Sequence, residues 1–514
     1  YDVLIAFNDD SYVLHSTDFA KTGVLLINGE PDKPAVMRHP ELENNIVYHV
    51  PMERIARKEI GEPRSKNMVA IGATSALFGF ERELLEANIR ERFGKRSEKI
   101  LEDNLGAFRA GFRYVEENIE KKDPYQLRAA KGEGFFVLTG NEAVALGAVY
   151  AGCRFFGGYP ITPASEIMEV IAAELPRIGG AMVQAEDEIA SMGMVLGAAF
   201  SGVRSMTATS GPGLSLMAEL IGLASMAELP CVIVDVQRGG PSTGLPTKTE
   251  QADLALALTA THGEAPHVVL APMMIQDSFT IMRTAFDIAE EFQLPVIVLT
   301  EQSLGFRRSD LPKSMLRDAE KWEFPPRSVP EPDEGARYYR YRLTESGVSP
   351  RAIPGMAGLQ HVVTGLEHAE DGKPAYDPKT RRAMMEKRYR KLDGIIRKYT
   401  DVVRYGEENE KVDVGVIGWG STAGPIKEAV DVARKNGIKA AGLVPRLLYP
   451  SPNEPIGEFI RSCKKVIVAE GNMTGQYARF LRSEFPGFDP EHFNSYTGMP
   501  IRYHDILAKI EEVA

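Results

Sequence analysis

A multi-domain α/β protein built on parallel sheets is what this sequence predicts, on three observations. Between residues 134 and about 305, short apolar strands alternate with helix-period segments, the pattern of a parallel sheet covered on both faces. A second, shorter alternation runs from 412 to 514. A chain of 514 residues is also too long for a single hydrophobic core.

Composition narrows the function classes. Sixty basic and 71 acidic side chains leave a net charge of −11 with no basic stripe, which argues against nucleic-acid binding and suits a cytoplasmic protein. No apolar run approaches the roughly 18 residues of a membrane span, and no signal peptide is visible. The chain begins inside a strand-like segment, Val3 to Phe7, so residues upstream of Tyr1 are expected. Its three cysteines, Cys153, Cys231 and Cys463, are far apart, and its nine histidines form no His-Glu-x-x-His pattern. Neither a disulfide framework nor a metal site carried by this chain alone is expected.

In chain order, residues 1–125 read as a first unit. Strands are expected near Tyr1 to Phe7, Gly23 to Ile27 and Asn45 to His49, then helices from Asn67, over Glu81 to Phe93 and over Glu98 to Asn118. Lys121-Lys122-Asp123-Pro124 reads as a linker. A sheet domain over 130–310 follows, with helices 140–151, 163–175, 188–200, 213–227 and 273–292 and strands 181–185, 203–209, 230–236, 267–271 and 295–300. Residues 311–400 form a Pro- and charge-rich crossover segment that includes Pro325 to Pro332. The last unit, 401–514, has strands at Val414 to Ile417, Lys439 to Val444 and Lys465 to Ala469. Its turn Gly418-Trp419-Gly420-Ser421-Thr422-Ala423 superficially resembles a dinucleotide fingerprint. The next strand, however, ends at Val444-Pro445-Arg446, without the acid that would take a ribose hydroxyl.

Four features fall on successive strand-to-helix turns of the central domain, the edge of a parallel sheet where ligands bind. They are Tyr159-Pro160-Ile161-Thr162-Pro163, Glu186-Asp187-Glu188, Thr209-Ser210-Gly211-Pro212-Gly213 and Arg238 to Thr247. Each has a plain structural explanation. Thr162 would cap a helix opened by Pro163, the acids favour a helix N-terminus, and the glycines suit a turn. Four together on one sheet edge point instead to a binding site.

These motifs together resemble the α subunit of 2-oxoacid:ferredoxin oxidoreductases, over nearly the whole chain. Residues 1 to about 120, with Lys66-Asn67-Met68, resemble the γ domain fused ahead of α in one branch, without its usual first βαβ portion. Glu470-Gly471-Asn472-Met473-Thr474-Gly475-Gln476 resembles a transketolase-C-type domain, and the central domain resembles the pyrimidine-binding domain of thiamine enzymes. The resemblance implies thiamine diphosphate-dependent oxidation of a 2-oxoacid, with coenzyme A taking the acyl group and ferredoxin the electrons. It implies a pyrimidine-binding carboxylate that promotes the imino tautomer. Glu188 fits best, since Gly193 and Gly197 follow it by five and nine residues. Glu186 and Asp187 would then cap or support. Tyr159, Pro160, Ile161, Ser210 and Gly211 would contact the cofactor. Thr162, Arg238 and Thr247 would meet the substrate carboxylate, with Thr162 and Arg238 also counted as catalytic.

The chain has no Gly-Asp-Gly motif for a metal-bound diphosphate and no cluster cysteines. The resemblance assigns the diphosphate, Mg2+ and a [4Fe-4S] cluster to a separate β subunit in an (αβ)2 heterotetramer. The γα fusion and the Gly152 to Leu245 region look most like the 2-oxoglutarate branch, which makes succinyl-CoA or runs in reverse in the reductive TCA cycle. Pyruvate or a branched-chain 2-oxoacid stays open as substrate. A transketolase-like or dehydrogenase E1 component, and a non-catalytic nucleotide-binding assembly subunit, are the alternatives from other classes.

Overall fold

The computed structural model describes residues 1–16, 19–20, 22–30, 44–128, 134–330, 337–407 and 410–514. The chain divides into two compact units, Tyr1–Gly132 and Glu133–Ala514. In the first, β1 (Val3–Ala6), β2 (Val24–Asn28) and β3 (Ile46–Val50) form a parallel sheet in that order. Helices Lys66–Phe78 and Glu98–Asn118 cross at small residues. A Cβ at Gly72 would lie 1.9 Å from the Phe108 carbonyl oxygen and one at Gly111 2.1 Å from that of Val69, so only glycine permits this approach. The expected linker is tied down rather than free. Asp123 is buried and accepts from the Tyr48 hydroxyl at 2.8 Å, and the Lys122 amide donates to that hydroxyl at 2.7 Å.

The second unit holds a seven-stranded sheet. Its strands are β5 (Phe155–Gly158), β6 (Ala181–Gln184), β7 (Ser205–Thr209), β8 (Cys231–Gln237), β9 (Val268–Leu270), β10 (Pro295–Glu301) and β15 (Leu447–Tyr449). They are ordered β15-β9-β10-β8-β7-β5-β6, parallel throughout except for β15. Strands β4 (Phe135–Thr139) and β11 (Arg308–Pro312) pair antiparallel beside it. The last sheet is ordered β12-β14-β13-β16-β17, from β12 (Val402–Tyr405), β13 (Val412–Ile417), β14 (Ala440–Pro445), β16 (Cys463–Glu470) and β17 (Glu491–Asn494). Its β15 neighbour crosses to the larger sheet, so the two sheets share one chain excursion.

Alternation along the strands sorts two cores. Val232, Val234 and Val236 face the helix Ser165–Glu174, whereas Cys231 and Ile233 face the helix Glu188–Phe200. The helices after β5 and β6 thus lie on opposite faces, and β7 returns to the other side of β5. That reversal creates a crevice at the carboxyl ends of β5 and β7.

Two sequence expectations need correction. The helix expected from Pro163 starts at Ser165 with Ala164 in the cap position, so Thr162 is not its N-cap. The Ala164 and Ser165 amides turn back onto the Ile161 carbonyl, and buried Asn141 donates to the Pro163 carbonyl at 2.8 Å. The single helix expected over 213–227 is two, Gly211–Leu216 and Ala218–Met226, because the Met217 amide bends back to both Gly213 and Leu214. The crossover segment contains the 21-residue helix Pro378–Lys398. Glu331 and Pro332 of its Pro-rich run lie outside the described residues.

That helix is fixed by charge. Lys387 and Lys391 each approach the Glu228 carboxylate to 2.6 Å, all three side chains fully buried, while Arg340 donates to the Glu228 backbone carbonyl at 2.8 Å. Burial alone would push the Glu228 carboxyl up. The Lys391 and Lys387 ammoniums and the Arg340 guanidinium hold it well below the ordinary carboxylate range.

Candidate functional site

The four turns converge at the crevice. Asp187 caps the helix Glu188–Phe200, its carboxylate accepting from the Ala190 amide at 2.7 Å. Glu188 is therefore the first helical residue and points inward, only 6% exposed, whereas Glu186 is exposed. A Cβ added at Gly213 would lie 2.0 Å from Thr209 Oγ1 and 2.8 Å from Glu188 Oε1. Glycine at 213 is what lets the Glu188 carboxylate and the Thr209 hydroxyl lie against the turn after β7. Ser210 is fully buried at that turn and its hydroxyl has no hydrogen-bond partner, while Gly211 beside it is buried.

The turns after β5 and β8 meet directly. Arg238, 8% exposed, donates through Nη1 to the Thr162 carbonyl at 2.5 Å, and its Nε has no partner. The fold thereby joins two predicted site residues 76 positions apart. The Thr162 side chain, Tyr159 and Pro160 are exposed at the rim; Ile161 packs against the core. Thr247 is exposed on the far limb of the Arg238 loop.

Sequence reading missed a group of acids behind this surface. Asp235 lies fully buried next to Thr209 in register, both of its oxygens without a partner. The Asp253 carboxylate presses on Gly211, where a Cβ would lie 2.6 Å from each oxygen. Burial and the nearby Asp253 push the Asp235 carboxyl well up. Asp253 is raised to about 6 by burial and by Glu250, against the pull of Arg238. Glu301, at the end of β10 on the same face, is pushed up to about 8 by burial, with the Ser303 hydroxyl donating to it. The available signal was an acid inside an otherwise apolar strand, Cys231-Val232-Ile233-Val234-Asp235-Val236.

The residues present fit the pyrimidine half of thiamine diphosphate. A buried carboxylate faces a turn opened by glycine, beside an orphaned buried hydroxyl. Among the described residues, no group of three or more His, Cys, Asp or Glu side chains could hold a metal ion. No helix of the described residues is long and apolar enough to cross a membrane.

Comparison with known proteins bears on the same segments. Residues 146–387 match the family described as pyruvate flavodoxin/ferredoxin oxidoreductase, thiamine diphosphate-binding. Residues 1–114 match pyruvate ferredoxin/flavodoxin oxidoreductase, and 412–506 match pyruvate:ferredoxin oxidoreductase core domain II. The 2-oxoglutarate oxidoreductase subunit KorA of Mycobacterium tuberculosis is 36% identical, over 94% of this chain and 76% of its own. The 2-oxoglutarate synthase subunit KorA of Methanothermobacter marburgensis is 38% identical, over 73% of this chain and 98% of its own. Among solved structures, the 2-oxoglutarate:ferredoxin oxidoreductase from Magnetococcus marinus, with 2-oxoglutarate, coenzyme A and succinyl-CoA bound, aligns with a TM-score of 0.91 at 39% identity. That alignment covers 100% of this chain and 88% of the other.

Proposed function

Because the chain belongs to the 2-oxoacid:ferredoxin oxidoreductase family, we propose that it is the γα-fused subunit of a 2-oxoglutarate:ferredoxin oxidoreductase. The observation that carries the reading is the meeting, on one sheet edge, of buried Glu188 over Gly213 with Arg238 held on Thr162. The 2-oxoglutarate named for the full-length structural relative supports the substrate.

Thiamine diphosphate, when bound, supplies the electron sink that decarboxylation needs. Glu188 would hold a hydrogen bond to the pyrimidine ring; its burial removes competing water and strengthens that bond. Ser210 would satisfy its hydroxyl on the ring edge, with Gly211 allowing close approach and Tyr159, Pro160 and Ile161 forming the wall. Arg238 keeps one N–H on Thr162 and would offer Nε to the substrate carboxylate, with Thr162 and Thr247 closing the pocket.

A β subunit would supply Mg2+, the diphosphate site and a [4Fe-4S] cluster in a cytoplasmic (αβ)2 assembly, passing electrons to ferredoxin and the acyl group to coenzyme A. The exposed stripe of Val183, Ile189 and Met194, on edge strand β6 and the Glu188 helix, supports such a partner. The test is coenzyme A-dependent viologen reduction by the co-expressed complex, with 2-oxoglutarate, pyruvate and 2-oxoisovalerate compared. The expected result is a kcat/KM for 2-oxoglutarate at least tenfold above the others. A preference for pyruvate overturns the substrate, and no reduction with any 2-oxoacid overturns the function.

A further inference from the structure

The loop from Arg238 to Asp253 carries the proposed carboxylate-binding arginine. Its ends are held in the central domain, Arg238 on the Thr162 carbonyl and the Asp253 amide on Gln237 Oε1 at 3.0 Å, but the stretch between them is anchored in the C-terminal domain. Within the loop, few bonds give it shape: the Gly239 amide to the Lys248 carbonyl at 3.1 Å, Leu245 to Gly239 at 2.7 Å, and Gly240 to the Glu250 carboxylate at 3.1 Å. Gln251, 2% exposed, sends all its hydrogen-bonding capacity outward. Its amide donates to the Gly471 carbonyl at 2.6 Å and its Oε1 accepts from the Gly471 amide at 2.8 Å. Its Nε2 donates to the Trp419 carbonyl at 3.0 Å, and its carbonyl accepts from Asn472 Nδ2 at 3.0 Å. One turn on, Gln476 brackets the next residues, donating to the Ala252 carbonyl at 2.7 Å and accepting from the Ala255 amide at 2.8 Å.

The receiving turns are themselves rigid. Fully buried Glu470 accepts from Asn472 Nδ2 at 2.6 Å and from the Tyr477 and Ala478 amides at 2.9 and 3.1 Å, which locks the segment between β16 and the helix Gln476–Glu484. The glycine-rich turn after β13, which superficially suggested a nucleotide site, presents its Trp419 carbonyl to Gln251. Both turn motifs of the C-terminal domain are thus occupied by the arginine loop.

We propose that Gln251 and Gln476 are positioning residues that set Arg238 for the 2-oxoacid carboxylate. The C-terminal domain thereby tunes substrate affinity from outside the site. This rests on the reading of Arg238 as the carboxylate ligand. Freeing the loop lowers the fraction of enzyme with Arg238 in place and reduces apparent affinity by that fraction, while saturating substrate draws the loop back. Positioning therefore predicts a rise in KM for the 2-oxoacid with kcat nearly kept. A purely structural dock predicts lost active enzyme at unchanged KM.

The experiment compares Gln251→Ala, Gln476→Ala and Arg238→Lys in the complete αβ complex, by steady-state kinetics and amide hydrogen exchange. The expected result is a KM for the 2-oxoacid raised at least fivefold in both glutamine variants, with kcat within twofold. Exchange over 239–248 should be at least tenfold faster, and exchange in the Glu188–Phe200 helix unchanged. If Gln251→Ala does not fold, Gln476→Ala, which loses two bonds at one end only, decides the matter. An unchanged KM in the glutamine variants, with Arg238→Lys raising it, overturns the clamp and leaves the arginine reading standing. An unchanged KM in Arg238→Lys overturns that reading, and the proposal with it.

Discussion

Replacing Glu188 by glutamine isolates the role of its charge. The side chain is 6% exposed and lies against Gly213, so a substitution of equal size keeps the packing and the helix start, which Asp187 caps. Stability should change by no more than about 1 kcal/mol, the worth of a carboxylate at a helix N-terminus. Catalysis should change far more. A positioned proton-transfer partner contributes about 10²-fold or more, equivalent to roughly 2.7 kcal/mol of barrier. Glu186→Gln is the matched control, one residue before the cap and exposed, and should keep turnover within about twofold, inside the few tenths of a kcal/mol expected of a surface change. The assay is 2-oxoacid-dependent viologen reduction by the complex at saturating cofactor, with thermal unfolding in parallel. If Glu188→Gln kept turnover within threefold, or Glu186→Gln lost as much, the assignment of the carboxylate would be wrong.

Glu228→Gln should leave Lys387 and Lys391 buried beside Arg340 without their counter-charge, a loss of about 3–5 kcal/mol. Denaturant unfolding of the 133–514 unit at an unshifted midpoint would contradict this. Glu301 should impose a pH dependence on stability. Its carboxyl is raised from 4.5 to about 8 in the folded protein, so the folded state binds a proton that the unfolded state releases between those values. Stability should therefore fall as pH rises through that window, by about 1.4 kcal/mol per unit at most, and Glu301→Gln should remove that slope. Wild type and variant losing stability in parallel between pH 5.5 and 8 would refute it. The isolated polypeptide should contain no stoichiometric iron and bind thiamine diphosphate weakly, both appearing on co-expression with a cysteine-bearing partner. Tight magnesium-dependent binding by the chain alone, measured by calorimetry, would overturn the shared site.

Much of the central sheet was legible because its strands are buried on both faces and read as unbroken apolar runs, such as Pro295-Val296-Ile297-Val298-Leu299. The helix at Glu188 was legible for a local reason, since acids at a helix start and a small-residue run after it are sequence properties. Asp187 as cap and Glu188 turned inward follow from that one-residue offset around the helix. Strand order was not legible. The exchange that places β7 beside β5 depends on which face each helix covers, and both helices carry enough apolar surface for either.

The contacts of Arg238 with Thr162, of Asp253 with Gly211 and of Gln251 with Gly471 span 76, 42 and 220 residues. Such contacts leave no periodicity or spacing to read, because each partner is an ordinary polar residue in a loop until the fold closes. The turn at Thr162 shows the limit most plainly. Threonine before proline predicts a helix cap by local preference, but Asn141 claims the Pro163 carbonyl and Arg238 the Thr162 carbonyl. The sequence alone determined which residue types meet at the sheet edge. Only the tertiary structure decided which of their groups pair with one another, because a buried carbonyl or amide must find a partner and at Thr162 and Pro163 that partner comes from distant chain.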